Sequence, residues 1–146
     1  MRIALGADHR GYKYKVIIKN LLISKNIGSE DFGTSSDKSC DYPDFGLQAA
    51  EAVGEHVVEM GIVICGTGNG MAMTANKVKG VRAALAINPE MARLARAHND
   101  ANMLVLSEMF TPEDQIEAIL DTFLNTNFEG DRHARRVDKI IKYEKG

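Results

Sequence analysis

Short apolar runs alternate with amphipathic stretches along the whole chain. Arg2 to Ala7 reads as a first strand. Val16, Ile17 and Leu21 then recur at helical spacing, opposite a lysine-rich face, which predicts a helix from about Gly11 to Ser24. A second strand is marked only by Ile27 and Phe32, before a turn at Gly33. Phe45, Leu47, Ala50 and Val53 predict a helix from about Asp44 to Glu55. Gly61 to Cys65 is continuously apolar, the pattern of a strand buried on both faces. A glycine-rich loop and a short helix to about Lys77 follow, then a strand from Val81 to Ile87. Asn88-Pro89-Glu90 has the chemistry of a helix start, with Asn88 as cap and Pro89 at the first helical position. That helix runs to about His98, and a fifth strand covers Met103 to Leu106. Thr111-Pro112-Glu113-Asp114 opens a helix to about Asn125, and a last helix spans about Asp131 to Tyr143.

Five strands separated by helices predict an α/β fold: a single domain over residues 1–146, built on a doubly wound, five-stranded parallel sheet. Right-handed crossovers leave few topologies, and the size suits the strand order 2-1-3-4-5. Strands 1 and 3 are then neighbours. Asp8-His9, after strand 1, and Cys65 to Gly70, after strand 3, would share the crevice beyond the carboxyl ends of the strands.

Composition narrows the partners. A chain of 146 residues with 45% hydrophobic and 26% charged residues has the make-up of a globular domain with one core. Its net charge of −2 gives no general attraction to nucleic acid or anionic membranes. No stretch approaches the ~20 apolar residues that span a bilayer, and the start has no signal-peptide pattern. The two cysteines, Cys40 and Cys65, have no metal-ligand spacing, and the cytoplasm is the expected compartment.

The chemistry concentrates in Cys65-Gly66-Thr67-Gly68-Asn69-Gly70. Alternating glycines after a buried strand let backbone N–H groups turn toward a ligand, and the following helix start adds positive potential. The loop lacks the last glycine of the dinucleotide fingerprint and the Lys-Ser/Thr of a P-loop, which points to a smaller anion. Cys65, at a strand end near a helix N-terminus, is expected to have a lowered thiol pKa. The residues alone leave it open as nucleophile, base or structural cysteine, and Thr67 as ligand or turn residue. Cys40 reads as a small buried hydrophobe. His9 falls in the crevice, His56 in a solvated stretch, and His98 near a helix end. Arg132 and Arg136 lie one helical turn apart, beside His133. They suit a phosphate, and equally a solvated basic face.

Gly6-Ala7-Asp8-His9-Arg10-Gly11, Asp41-Tyr42-Pro43, Cys65 to Gly70, Ala75-Asn76-Lys77, Gly80-Val81-Arg82-Ala83-Ala84, His98-Asn99-Asp100-Ala101-Asn102 and Arg132-His133 with Arg136 occur in that order. Together they closely resemble the ribose-5-phosphate isomerase B family, shared with the galactose-6-phosphate isomerase subunits, over nearly the whole chain. The resemblance implies an aldose–ketose isomerase that interconverts ribose 5-phosphate and ribulose 5-phosphate without metal or organic cofactor. It also implies a three-layer, Rossmann-like α/β/α fold and a homodimer, or a tetramer, with active sites at the subunit interface. Cys65 would move the proton between carbons 1 and 2, and Thr67 and His98 would assist ring opening. Backbone N–H groups of Gly66, Gly68, Asn69 and Gly70 would hold the enediolate oxygen. Asp8, Tyr42 and Asn99 would contact the sugar, and His9, Arg132 and Arg136 the phosphate, with His133 close by.

Two departures stand out. The family often has Gly-x-Arg where this chain has Ser107-Glu108-Met109, and Gly-Gly where it has Gly130-Asp131. Both bear on phosphate binding and hence on substrate preference. The alternatives are a hexose-6-phosphate isomerase of allose or galactose type, and a non-catalytic sugar-phosphate-binding protein.

Overall fold

The computed structural model describes all residues, Met1–Gly146. Five strands form one parallel sheet: β1 (Arg2–Ala7), β2 (Gly28–Asp31), β3 (Met60–Cys65), β4 (Ala83–Leu85) and β5 (Met103–Ser107). Six α-helices connect or follow them: α1 (Tyr12–Ser24), α2 (Tyr42–Gly54), α3 (Asn69–Ala75), α4 (Pro89–Asn99), α5 (Ile116–Asn125) and α6 (Arg132–Lys145).

Side chains leave a strand on alternate faces, so each strand feeds two cores. Ile3, Leu5, Ile62, Ile64, Leu104 and Leu106 pack beneath α1, α4 and α5, around the fully buried Phe123. Ala4, Val63, Cys65, Met103 and Val105 face the other way, against the small side chains of α2 and α3. The continuous apolarity of β1, β3 and β5 has this cause: both of their faces are covered.

The α/β/α architecture expected from the sequence is present, but the strand order is 2-1-3-5-4 rather than 2-1-3-4-5. Burial explains the difference. All five residues of β5 are buried, which suits a strand flanked on both sides. β4 shrinks from the expected Val81–Ile87 to three half-buried residues, Ala83–Leu85, and takes the edge, where a short strand leaves few unpaired groups. At the other edge, β2 is the polar run Gly-Ser-Glu-Asp, and the apolar Ile27 and Phe32 flank it.

Local signals are met in most places. Asn88 Oδ1 accepts the Met91 N–H at 2.8 Å and caps α4. Pro43 also opens a helix, α2, whereas the segment after Pro112 begins with a single 3₁₀ turn, Glu113–Gln115. One lysine of the expected solvent face of α1 is inside: Lys15 is 3% exposed. Its ammonium pairs with Asp31 at 3.0 Å and donates to the Thr34 carbonyl, so its burial is compensated.

Candidate active site

The parallel pairing of β1 with β3 matches Ala7 with Ile64 and sets their carboxyl ends side by side. Asp8, 5% exposed, lies next to the loop that leaves Cys65. Its Oδ1 accepts the N–H groups of Arg10 and Gly11, both at 3.0 Å, which fixes the carboxylate at the start of α1. The expected meeting of Asp8-His9 with the glycine loop is therefore found.

Placing β5 beside β3 braces the loop from its other side. The N–H groups of Glu108 and Met109 donate to the carbonyls of Cys65 and Gly66 at 3.0 and 2.9 Å. Ser107 Oγ donates to the Gly66 carbonyl at 2.8 Å, and Glu108 pairs with Arg10 at 2.9 Å. The departure Ser107-Glu108-Met109 thus ties the ends of β1, β3 and β5 together. With its carbonyls held back, the loop turns its N–H groups inward. Gly68 makes the turn at φ 88°, a conformation that costs an L-residue about 1–2 kcal/mol. The Tyr42 ring lies against Gly70, so closely that a Cβ there would come within 2.5 Å of it.

Cys65 is 4% exposed and points into this cradle, where the N–H groups of Gly68, Gly70 and Met71 are directed at its sulfur. The expectation of a lowered thiol pKa is not met. Burial pushes the Cys65 thiol up, the Asp8 carboxylate adds to the rise, and the three N–H groups offset it only in part. A helix start near a sulfur favours the thiolate, but here desolvation is the larger effect. Thr67 and Asn69 stand exposed on the loop, with the Thr67 hydroxyl accepting the Asn69 N–H at 3.2 Å.

His9 Nδ1 accepts the N–H of Cys40 at 3.2 Å. Cys40 is half-buried rather than a core hydrophobe, and its backbone leaves His9 the tautomer with the proton on Nε2.

A second group of expected residues lies elsewhere. His98 is at the end of α4, which Asp100 closes in a left-handed turn while pairing with Arg82 and Arg96. The His98 and His133 rings stack with centroids 4.1 Å apart and planes 11° from parallel. Glu129 Oε1 lies 3.9 Å from His98 Nε2 and 3.8 Å from His133 Nε2. Burial and the neighbouring His98 push the His133 pKa down. Arg132 and Arg136 are exposed, and neither enters an ion pair, unlike Arg2, Arg10, Arg82, Arg93 and Arg96. Asn99 lines a separate cleft with Asn76, Arg82 and Ile140. Within one chain, no hydrogen bond, ion pair or ring contact joins His98, His133 or Arg132 to the Cys65 loop.

The sequence reading missed two contributors, Glu129 and the Cys40 N–H. The first had a signal, since Glu129 and His133 are four residues apart. The second had none, because a backbone donor reaching a histidine 31 residues away is set by loop folding alone.

The sequence profile described as Ribose/Galactose Isomerase matches residues 3–140. A protein of Mycoplasma genitalium named probable ribose-5-phosphate isomerase B is 47% identical over 145 residues, covering 98% of this chain and 95% of the relative. The solved structure of Clostridium thermocellum ribose-5-phosphate isomerase B is 50% identical, with a TM-score of 0.97 and 99% and 98% of the two chains covered. A Mycoplasma genitalium ribose-5-phosphate isomerase B solved with bound ribulose-5-phosphate is 46% identical, with a TM-score of 0.94 and coverage of 99% and 96%.

Proposed function

Because the chain belongs to the ribose/galactose isomerase family, we propose that it interconverts ribose 5-phosphate and ribulose 5-phosphate, with Cys65 as the base. The observation that carries this reading is the setting of Cys65. Its sulfur is buried, beside Asp8, and ringed by three backbone N–H donors.

That arrangement suits proton abstraction beside a carbonyl. The thiolate takes the proton from carbon 2 of the open-chain aldose, and the electron pair moves onto the carbonyl oxygen at carbon 1. The enediolate so formed is stabilised by the preorganised N–H groups of the Gly66–Gly70 turn, each such donor being worth roughly 100- to 1000-fold in rate. The hydroxyl proton on carbon 2 passes to the carbon 1 oxygen, the proton held by the thiol returns to carbon 1 as the carbon 2–oxygen double bond forms, and the ketose and the thiolate result. Thr67 and His98 assist opening of the sugar ring, and Asp8, Tyr42 and Asn99 contact the sugar. His9, through Nε2–H, joins Arg132 and Arg136 on the phosphate, with His133 beside them. Phosphate binding far from the reacting carbons holds the open chain in register.

In this reading the site is completed by a second copy of the chain, which brings His98, Arg132 and Arg136 to the Cys65 loop. Support comes from the separation of the two groups within one chain, and from the large apolar side chains left exposed near the loop: Met73 at 69%, Phe110 at 58% and Met109 at 53%.

The test is a complementation assay. Cys65→Ala and Arg136→Ala proteins are assayed alone and after mixing under exchange conditions. Each alone is expected to be impaired, Cys65→Ala by at least about 100-fold. Random exchange into dimers should restore about a quarter of wild-type activity, because each hybrid carries one intact site. Near-normal turnover by Cys65→Ala would refute the assigned base. No gain on mixing would refute the shared site.

A further inference from the structure

His9 and Arg10 are consecutive, and their side chains leave the end of β1 in different directions. His9 turns to the Cys40 N–H, in the segment after β2. Arg10 crosses the end of β3 and pairs with Glu108, just after β5, at 2.9 Å. Its path lies over the Cys65 loop. A Cβ on Gly66 would have Arg10 Cγ at 3.9 Å and Arg10 Cβ at 4.0 Å, with Met109 Sδ also at 3.9 Å. Arg10 and Met109 therefore stand over the same face of Gly66, the first residue after Cys65.

Two features set this arginine apart from an ordinary surface cation. The first is its position, one residue before Gly11, the N-cap of α1, whose first turn holds no acidic residue. A helix N-terminus carries partial positive charge, so it disfavours a cation and favours an anion. The buried Asp8 carboxylate accepts the backbone N–H groups of Arg10 and Gly11, and nothing from the guanidinium. The second feature is hydrogen bonding. A guanidinium has five N–H groups, and this one makes a single hydrogen bond, to Glu108 Oε2. Arg82 and Arg96, by contrast, are tied to backbone carbonyls. Glu108 thus holds the arm across the loop and leaves most of the fork free and half-exposed at the mouth of the site.

We propose that Arg10 is a substrate-binding residue that grips the phosphate, from the same chain that supplies Cys65 and His9. A guanidinium fork matches two phosphate oxygens at once, which a single imidazole N–H cannot do. The place over Gly66 is also where this chain departs from its family, with Met109 standing where arginine is common. The cation here comes from the end of β1 instead of the end of β5. Arg10 and His9 hold one side of the phosphate, and Arg132 and Arg136 of the second copy close the other. That the anion is a sugar phosphate rests on the isomerase reading, whereas the anion site itself can be measured without turnover.

The experiment compares wild type with Arg10→Ala, Met109→Arg and the double variant Arg10→Ala/Met109→Arg, all as full-length proteins. It reads ribose 5-phosphate kinetics, and the dissociation constant of inorganic phosphate by phosphorus NMR titration. Arg10→Ala should raise KM and the phosphate dissociation constant together by about tenfold, with kcat within about twofold, because a contact made equally in ground and transition states changes KM alone. Melting should stay within about 2 °C of wild type, since a half-exposed ion pair contributes little. The double variant should recover most of the lost affinity, because both side chains start over Gly66. An Arg10→Ala protein with unchanged phosphate affinity would overturn the proposal. So would a fall in kcat at unchanged KM, the mark of a brace rather than a ligand. No recovery in the double variant, with Met109→Arg alone melting as wild type, would overturn the shared place over Gly66. A wild-type protein that turns over no aldose phosphate would defeat the isomerase reading, and the phosphate titration would still decide the role of Arg10.

Discussion

Asp131 gives a sharp stability prediction, because its backbone conformation belongs to glycine. It precedes α6 with φ 51° and ψ −127°, and its carboxylate makes no capping hydrogen bond. Such a region costs a residue with a Cβ about 1–3 kcal/mol. Here the upper part applies, since ψ lies far from the left-handed helical well that aspartate tolerates. Asp131→Gly relieves that strain. Against it stand the extra freedom of glycine in the unfolded chain, about 0.4–1 kcal/mol, and the loss of a negative charge at a helix N-terminus, about 0.3–1 kcal/mol. The net is a stabilisation of about 1 kcal/mol, or roughly 3 °C in melting temperature for a chain of this size. Thermal melting and urea unfolding should agree, with a higher midpoint and an unchanged m-value. Asp100 is the internal control. It too has positive φ, but at φ 48° and ψ 43° it sits in the well that aspartate tolerates, and it pairs with Arg82 and Arg96. Asp100→Gly should therefore destabilise. An Asp131→Gly protein that melts at or below the wild-type temperature would refute the strain argument.

Two further outcomes follow from the glycine loop. Gly68→Ala should cost about 2–3 kcal/mol, combining positive φ with a contact of 2.7 Å to Leu85 Cδ1, and should lower kcat/KM at least tenfold by displacing an N–H donor. Gly66→Ala meets nothing closer than 3.9 Å and should cost under about 1 kcal/mol, so equal melting shifts for the two would count against the loop geometry. The raised thiol pKa of Cys65 has linked consequences for rate and stability. The folded protein holds the thiol proton more tightly than the unfolded chain, so this contribution to stability is full below the unfolded thiol pKa and lost as pH rises through the folded one. A thiolate base gains population over the same range, so kcat/KM should climb on the alkaline side of neutrality, and a flat profile there would exclude Cys65 as the group that must ionise.

The elements were legible wherever periodicity and punctuation agreed, as at Gly61 to Cys65 and at Asn88-Pro89. Strand order was not, because it depends on a comparison between strands. Val81 to Ile87 looks like the longer and better strand, yet Met103–Ser107 can be covered on both sides and Ala83–Leu85 cannot. Residue type alone also misread the interior of α1, where Asp31 and the Thr34 carbonyl, both distant in sequence, make room for the Lys15 ammonium.

Strand order bears directly on the site. Had β4 stood beside β3, the Ser107-Glu108-Met109 segment could not reach the carbonyls of Cys65 and Gly66, and the loop would lack its outer brace. The brace pulls carbonyls outward and leaves the N–H groups of Gly68, Gly70 and Met71 to face the sulfur. The same packing buries Cys65 and raises its pKa, an effect that motif chemistry alone reads with the wrong sign. A buried thiol is a poor thiolate at neutral pH, but as a thiolate it is a stronger base, and the N–H groups that partly offset its desolvation are the ones that would meet an enediolate oxygen. Desolvation and oxyanion stabilisation are thus two results of one local fold, set by where β5 lies.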